Sequence, residues 1–139
     1  MDYLDGYASK GVLADSLVKI VLVAVAAAAV LGPAYYVFFR NWREELQARR
    51  FLDLVMAGDY EDAYAMWGCS VDAPCRYYPF EEFLEDWGPR APFGAVREFS
   101  LRRSYTQPNG VIVRYSINGR EEDPLFVERD PPKIGFAPN

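Results

Sequence analysis

The sequence contains no histidine, and this absence excludes several kinds of chemistry at once. Histidine is the commonest general base near neutral pH, a frequent metal ligand and a common axial ligand of haem iron. Only two cysteines are present, too few for a structural zinc site without histidine. No Cys-x-x-Cys pair, haem-attachment motif or phosphate-binding loop occurs. We therefore expect no cofactor and no metal, and we predict that the protein is not an enzyme.

Basic residues are also in deficit. Lysine and arginine together number 15, against 20 acidic residues, which gives a net charge of −5. Because nucleic-acid binding depends on a basic face that neutralises phosphates, we expect no nucleic-acid partner. Aromatic residues make up 16% of the chain, and most of them follow the apolar run described next. That part of the chain should therefore fold rather than stay disordered.

One uncharged run, from Ile20 to Phe39, dominates the sequence. About 20 residues of helix span roughly 30 Å, the thickness of the hydrocarbon core of a bilayer. Lipid offers the backbone no hydrogen bonds, so such a run is stable there as a helix. We predict a leader over residues 1–15, a single transmembrane helix over 16–41 in the plasma (inner) membrane, and an extramembrane domain over 42–139.

A cleaved signal peptide is the alternative interpretation of this run. Its apolar core would be Ile20–Leu31, with Ala27 and Ala29 as the small residues of a cleavage site. The apolar run continues well past that site, and no lipoprotein cysteine follows it, so a retained anchor is favoured. Asp15 or Ser16 is the candidate N-cap of the anchor helix.

Small residues recur every four positions in the anchor, at Ala24, Ala28 and Gly32. They share one helix face, and small residues at this spacing let another helix approach closely in lipid. The alternative is that an alanine-rich run is only apolar filler. We predict that this face packs on another transmembrane helix.

The C-terminal end of the anchor carries a proline and several aromatic residues. Pro33 lacks the backbone N–H, so a kink near it is expected. Tyr35, Tyr36 and Trp42 are predicted to form an aromatic belt at the interface where the chain leaves the membrane.

The side of the membrane on which the domain lies is contested by two signals. Arginine is abundant after the run, and by the positive-inside rule this places the domain in the cytoplasm. These residues are Arg40, Arg43, Arg49 and Arg50, against Lys10 and Lys19 before the run. Cys69 and Cys75, in contrast, bracket a short loop that a disulfide can close, which indicates an oxidising compartment. Two reduced thiols are the alternative, and the periplasmic side is favoured.

Helical periodicity describes the first half of the domain. Trp42–Ala57 is rich in helix formers and is followed by Gly58, which stops the helix. Asp59 can cap a second helix, whose apolar stripe begins at Tyr60. A third helix is predicted over Pro79–Trp87, with its aromatic residues at helical spacing.

After the third helix the pattern changes to a period of two. Phe99, Leu101 and Tyr105 are predicted to share one strand face. A turn over residues 107–110 leads to a strand over 111–117, and Asn118-Gly119 predicts a type I′ hairpin. Shorter strands are predicted over 125–128 and 133–136. We therefore predict an α+β domain, with three helices packed on an antiparallel sheet of three or four strands.

The segment from Ala48 to Tyr64, with its Gly-Asp turn and its Tyr-x-x-Ala-Tyr stripe, resembles the opening of a known family. These are small bacterial domains of the nuclear transport factor 2-like, ketosteroid-isomerase-like cone superfamily. The Pro-Phe-Glu-Glu-Phe-Leu start of the third helix and the final Lys-Ile-Gly-Phe strand fit as well. The resemblance covers about Glu44 to Pro138. It implies a cone-like α+β fold whose interior can hold acid or base groups.

Candidates for such groups are Tyr105, Tyr115 and Asp86, because ketosteroid isomerases use an aspartate base with a tyrosine and a protonated acid. No family catalytic motif assigns a role to any of them. Cys69 as a nucleophile lacks a histidine partner. The acidic residues of the third helix are best explained as its solvated face; they are Glu81, Glu82, Glu85 and Asp86. A second acidic run is best explained as the charged end of a hairpin; it consists of Glu121, Glu122 and Asp123.

These features predict a non-catalytic accessory subunit of a larger membrane protein complex, by analogy a photosynthetic or respiratory one. Its expected partners are other integral membrane subunits and the lipid bilayer. A membrane-tethered binding module is the alternative, with an apolar pocket lined by Tyr105, Tyr115 and the aromatic residues of the third helix. A membrane-bound isomerase or hydrolase is a weaker alternative, and it would require a buried carboxylate facing such a cavity.

Overall fold

The computed structural model describes residues 5–138, with side chains from Gly11 onward. The chain forms two compact units, residues 1–40 and residues 41–139. The described part of the first unit consists of a single helix, and the second unit combines helices with an antiparallel sheet. The predicted α+β class, with a long apolar helix ahead of an antiparallel sheet, is confirmed.

Helix α1 runs from Asp5 to Phe39 and continues through Pro33. It is long enough and apolar enough to cross a membrane once. The predicted cap is wrong, because Asp15 and Ser16 lie inside the helix rather than at its start. No proline interrupts the residues before them, so the helix extends through much of the predicted leader. Asp15 instead pairs with Lys19 one turn later, with Oδ2 and Nζ 2.6 Å apart.

Helix α2 spans Trp42–Ala57, and α3 spans Tyr60–Ala65. Gly58 ends α2 in the left-handed region, at φ 79°, as its sequence predicted. The N–H groups of Gly58 and Asp59 donate to the carbonyls of Val55 and Leu54, so the last turn of α2 is capped by backbone. Asp59 makes no side-chain cap to α3, and its carbonyl accepts from the N–H of Ala63 instead. Helix α4 spans Phe80–Trp87.

Five strands follow, and every pairing among them is antiparallel. The sheet order is β1-β2-β4-β5, and the short β3 pairs with the end of β2. At the other edge, the N–H of Ile134 donates to the carbonyl of Met66, so β5 is joined to the end of α3. The strands are β1 Phe99–Gln107, β2 Gly110–Ile117, β3 Arg120–Glu121, β4 Leu125–Arg129 and β5 Pro132–Phe136.

The hairpin between β2 and β3 has the geometry that its sequence predicts. Asn118 and Gly119 both have positive φ, 51° and 80°, as a type I′ turn requires. The side chain of Asn118 also fixes the preceding loop. Its Oδ1 accepts from the N–H of Arg97 at 2.9 Å, and its Nδ2 donates to the carbonyl of Ala95 at 2.9 Å.

A β-bulge in β1 reverses part of the predicted alternation. Leu101 pairs with Tyr115, and Ser104 pairs with Val113, so two residues of β1 lie opposite one residue of β2. The bulge turns Ser104 to the face that carries Leu101. Tyr105, predicted to share that face, pairs instead with Ile112 on the opposite face.

The core of the second unit lies between the helices and one face of the sheet. Aromatic rings from three helices meet there, with the Phe51 ring 4.8 Å from the Trp87 ring and the Tyr64 ring 5.3 Å from the Phe83 ring. Valine, isoleucine and leucine side chains from one face of the sheet form the other side of the core. Its buried members are Ala48, Phe51, Leu52, Val55, Ala63, Tyr64, Phe83, Trp87, Val111, Val113, Tyr115, Ile117, Leu125, Val127 and Ile134.

The fully buried Tyr64 also makes hydrogen bonds from this core to the loop before α4. Its hydroxyl donates to the carbonyl of Tyr78 at 2.7 Å and accepts from the N–H of Cys75 at 2.9 Å. One side chain of α3 therefore satisfies two backbone groups of the loop that precedes α4.

Removing this hydroxyl should destabilise the second unit. In Tyr64→Phe the two backbone groups lose their partner while the ring packing stays, so the free energy of unfolding should fall by about 1–3 kcal/mol. Denaturant unfolding of the full chain in mild detergent, followed by tryptophan fluorescence, measures this change. Tyr77→Phe is the control because Tyr77 is 83% exposed, and it should change the value by less than about 0.5 kcal/mol. Equal effects of the two variants would contradict the assigned role of Tyr64.

Candidate functional site

The small residues of α1 lie on an exposed helix. From Gly11 to Phe39 every side chain is exposed except that of Ala34, which is half-buried. Ala24, Ala28 and Gly32 follow at intervals of four within the continuous helix, so they share one face. A Cβ placed on Gly32 meets no atom within 4 Å. This face therefore has room for a neighbouring helix to approach closely.

The predicted aromatic belt is divided between the two units. Tyr35 and Tyr36 are exposed on α1, and the Tyr35 ring stacks on that of Phe39 with centroids 4.7 Å apart. Trp42 is the first residue of α2 and belongs to the second unit. The belt itself remains a prediction.

The two cysteines lie at disulfide-bonding distance. The Cα atoms of Cys69 and Cys75 are 5.3 Å apart, and the loop between them is exposed. Within the loop, the N–H of Ser70 donates to the carbonyl of Ala73, and the hydroxyl of Ser70 accepts from the N–H of Ala73. Together with the Tyr64 hydroxyl, the cross-link fixes this loop against α3.

The two tyrosines proposed for chemistry do not meet. Tyr115 faces the core and is 3% exposed, whereas Tyr105 is 40% exposed on the other face of the sheet. Tyr105 lies beside Arg114, and Tyr105 and Glu121 together raise the pKa of that guanidinium. No single cavity can therefore be lined by both tyrosines.

Asp86 makes one defined contact. The hydroxyl of Tyr78 donates to its Oδ2 at 2.8 Å. Burial, followed by this carboxylate, raises the pKa of Tyr78 above its usual value near 10. The other carboxylates of α4, namely Glu81, Glu82 and Glu85, are exposed, which agrees with the predicted solvated face.

An aromatic cleft of about 310 Å³ lies between α4, the loop that follows it and the sheet. The rings of Trp87 and Tyr115 stack there with centroids 6.2 Å apart. Burial raises the pKa of Tyr115, and the nearby carboxylates of Glu122 and Asp123 raise it further. The cleft thus combines aromatic walls with negative charge, which suits an organic cation. Its lining residues are Asp86, Trp87, Pro92, Phe93, Tyr115, Glu122, Asp123 and Phe136.

A polar network at the start of α2 was not predicted. The side chain of Asn41 donates to Ser104 at 3.2 Å and accepts from Thr106 at 3.0 Å. The Nε of Arg129 donates to Oε1 of Glu44 at 2.9 Å. The Ser104 hydroxyl also donates to Glu45, so the bulged strand contacts α2 directly as well as Asn41 before it.

The second carboxylate oxygen of Glu44 is buried and has no hydrogen-bond partner among the residues that the structure describes, and Glu44 as a whole is 9% exposed. Arg129 neutralises the charge from one side, and the network joins residues 59 to 88 positions apart in sequence. No periodicity or motif connects such distant residues, so sequence reasoning had no signal for the network. It ties the start of α2 to β1 and β4.

The interior of the second unit is a cluster of packed aromatic and aliphatic side chains. Among the residues that the structure describes, no three Cys, Asp or Glu side chains come together in a way that could hold a metal ion. The features that a ligand or a partner could contact include the small-residue face of α1, the aromatic cleft and the exposed disulfide loop.

No known protein family, curated protein or solved structure matches this chain.

The two raised tyrosine pKa values predict a specific alkaline response. Below about pH 10 both tyrosines are neutral in the folded and the unfolded protein, so they add no pH dependence. Above it, unfolded tyrosine ionises while folded Tyr78 and Tyr115 resist, so stability should fall as pH rises. Absorbance of tyrosinate should therefore show Tyr78 and Tyr115 ionising above the usual range of tyrosine.

Tyr115→Phe should remove one late-ionising group and weaken the loss of stability above about pH 10. Tyr77→Phe, at an exposed position, is the control for the substitution itself. Ionisation of Tyr115 in the usual range of tyrosine, with the fold intact, would be incompatible with its buried position.

Proposed function

We propose that this protein is a single-pass, non-catalytic accessory subunit of a larger membrane protein complex. The observation that carries the proposal is α1, a 35-residue helix whose described side chains are apolar and exposed along most of its length. Such a surface is stable where water is excluded, which means lipid or other membrane helices.

In this role α1 contributes a packing face and the second unit contributes a protein surface. The face of Ala24, Ala28 and Gly32 packs on a helix of a core subunit, because association in lipid depends on close packing. The second unit covers an extramembrane surface of a neighbouring subunit. Photosynthetic and respiratory complexes of the inner membrane are the proposed setting, by analogy with their small single-span subunits.

The order of elements supports the proposed kinship with the cone superfamily. Helices α2, α3 and α4 precede an antiparallel sheet, as in the resemblance noted for residues 44–138. The packed aromatic core supports a kinship that concerns the scaffold, since one fold can carry unrelated functions.

We place the second unit on the periplasmic side of the membrane. The Cys69–Cys75 pair supports this side because disulfides persist in oxidising compartments. The arginines after α1 favour the opposite side by the positive-inside rule. The disulfide is given more weight because it is a covalent feature of the folded unit.

Labelling with a membrane-impermeant maleimide tests this orientation. In intact cells the native chain should not react, and it should react fully after an impermeant reductant has opened the disulfide. A Cys69→Ser/Cys75→Ser variant provides the background. Thiols that react without reductant, and only after the cells are lysed, would place the unit in the cytoplasm and overturn the proposal.

Co-purification of the tagged chain in mild detergent tests the subunit role. The chain should migrate with other integral membrane proteins. Ala28→Leu should weaken this association by about 1–3 kcal/mol because it adds bulk to a close-packed face. Ala26→Leu is the matched control, since Ala26 lies on the opposite side of α1. A lone monomer, or equal loss in both variants, would refute the role.

A second candidate function is a membrane-tethered binding module, and the aromatic cleft is the observation that favours it. Of the predicted pocket residues, Tyr115 and the α4 residue Trp87 line the cleft, whereas Tyr105 does not. Its acidic rim makes the suitable ligand an organic cation rather than a purely apolar molecule. A chain that purifies alone, and whose tryptophan fluorescence responds saturably to benzyltrimethylammonium, would support this function over the subunit role.

A further inference from the structure

A groove of about 250 Å³ lies between the exposed side of α2 and the edge strand β1. We name it the arginine groove. It is lined by Trp42, Glu45, Leu46, Arg49, Leu101 and Arg102. Arg102 belongs to the β-bulge, where two residues of β1 lie opposite one of β2.

The arginines of this groove have no acidic partner in the part of the chain that the structure describes. The ion pairs found there involve Lys19, Arg114, Arg120, Arg129 and Lys133. Glu45 also lines the groove, and its carboxylate already accepts a hydrogen bond from Ser104. Two guanidinium groups therefore face a groove in a protein whose net charge is −5.

Two further arginines are adjacent in sequence to the groove residues. Arg50 on α2 and Arg103 on β1 are exposed, and they form no ion pair among the described residues. The first turn of α2 also carries Glu44 and Glu45, but Glu44 pairs with Arg129, and Glu45 accepts a hydrogen bond from Ser104. An anionic ligand is the chemistry that the guanidinium groups of the groove recognise.

The apolar part of the groove and its place in the chain identify the anion. Leu46 is half-exposed beside the guanidinium groups, so the groove offers apolar contact as well as charge. Trp42 follows Phe39, the last residue of α1, by three positions, which limits the distance between their Cα atoms to about 11 Å. A helix anchored in lipid therefore keeps Trp42, at the start of α2, within that distance of the end of the anchor.

We propose that the arginine groove binds the headgroup of an anionic phospholipid. Arg49 and Arg102 donate to its phosphate oxygens, and their planar guanidinium groups match that geometry. Leu46 contacts the glycerol and the first carbons of the acyl chains. The site rests on the proposed membrane anchoring of α1, and it is independent of the accessory-subunit role.

Lipid titration of the full chain tests this site. The chain is purified in neutral detergent, stripped of lipid, and titrated with phosphatidylglycerol or with phosphatidylcholine of the same acyl chains. Native mass spectrometry counts the bound lipids. Each arginine near an anionic headgroup contributes a preference of about fivefold, so we expect an overall preference for phosphatidylglycerol of roughly 25-fold.

Three variants separate this site from general charge. Arg49→Gln/Arg102→Gln should abolish most of the preference, and Arg49→Lys/Arg102→Lys should retain most of it. Arg90→Gln/Arg97→Gln, which makes the same charge change at two exposed residues of the loop after α4, should leave it intact. Absence of any preference in the native chain, or equal loss in the groove variant and the Arg90/Arg97 variant, would overturn the proposal. Because the lone chain is used, the outcome does not depend on the co-purification result.

Discussion

Exclusion of water from the surface of α1 is the physical constraint on which the rest of the protein depends. Apolar surface costs about 25 cal/mol per Å² in water, and α1 exposes large apolar side chains along most of its length. A helix with this surface is long enough and apolar enough to cross a membrane. The proposed location and partners of the protein both rest on this property.

The second unit meets its own hydrophobic requirement internally. Its α2 face packs on the sheet, and rings from three helices fill the space between them. The polar network around Asn41 adds to this packing, because it fixes the first turn of α2 to two strands.

The arginine-rich segment and the disulfide give opposite indications of topology, and the structure suggests a reason. If Arg49 and Arg102 serve a headgroup, then part of the positive charge after α1 has a function of its own in the folded unit. Charges retained for binding are weaker evidence for cytoplasmic placement than charges with no structural role. The disulfide loop, which is held by Tyr64 as well as by its cross-link, then remains the stronger of the two indications, and it favours the periplasmic side.

The sequence by itself determined the features that depend on local chemistry. The apolar run specified the long helix, Gly58 specified the end of α2, and Asn118-Gly119 specified the hairpin, because each is decided by a few adjacent residues. Only the tertiary structure decided the rest. The bulge in β1 reversed the direction of Tyr105, and it brought Ser104 to α2. A one-residue insertion in a ladder changes every side-chain direction after it, and its place is decided by packing between distant segments rather than by local pattern.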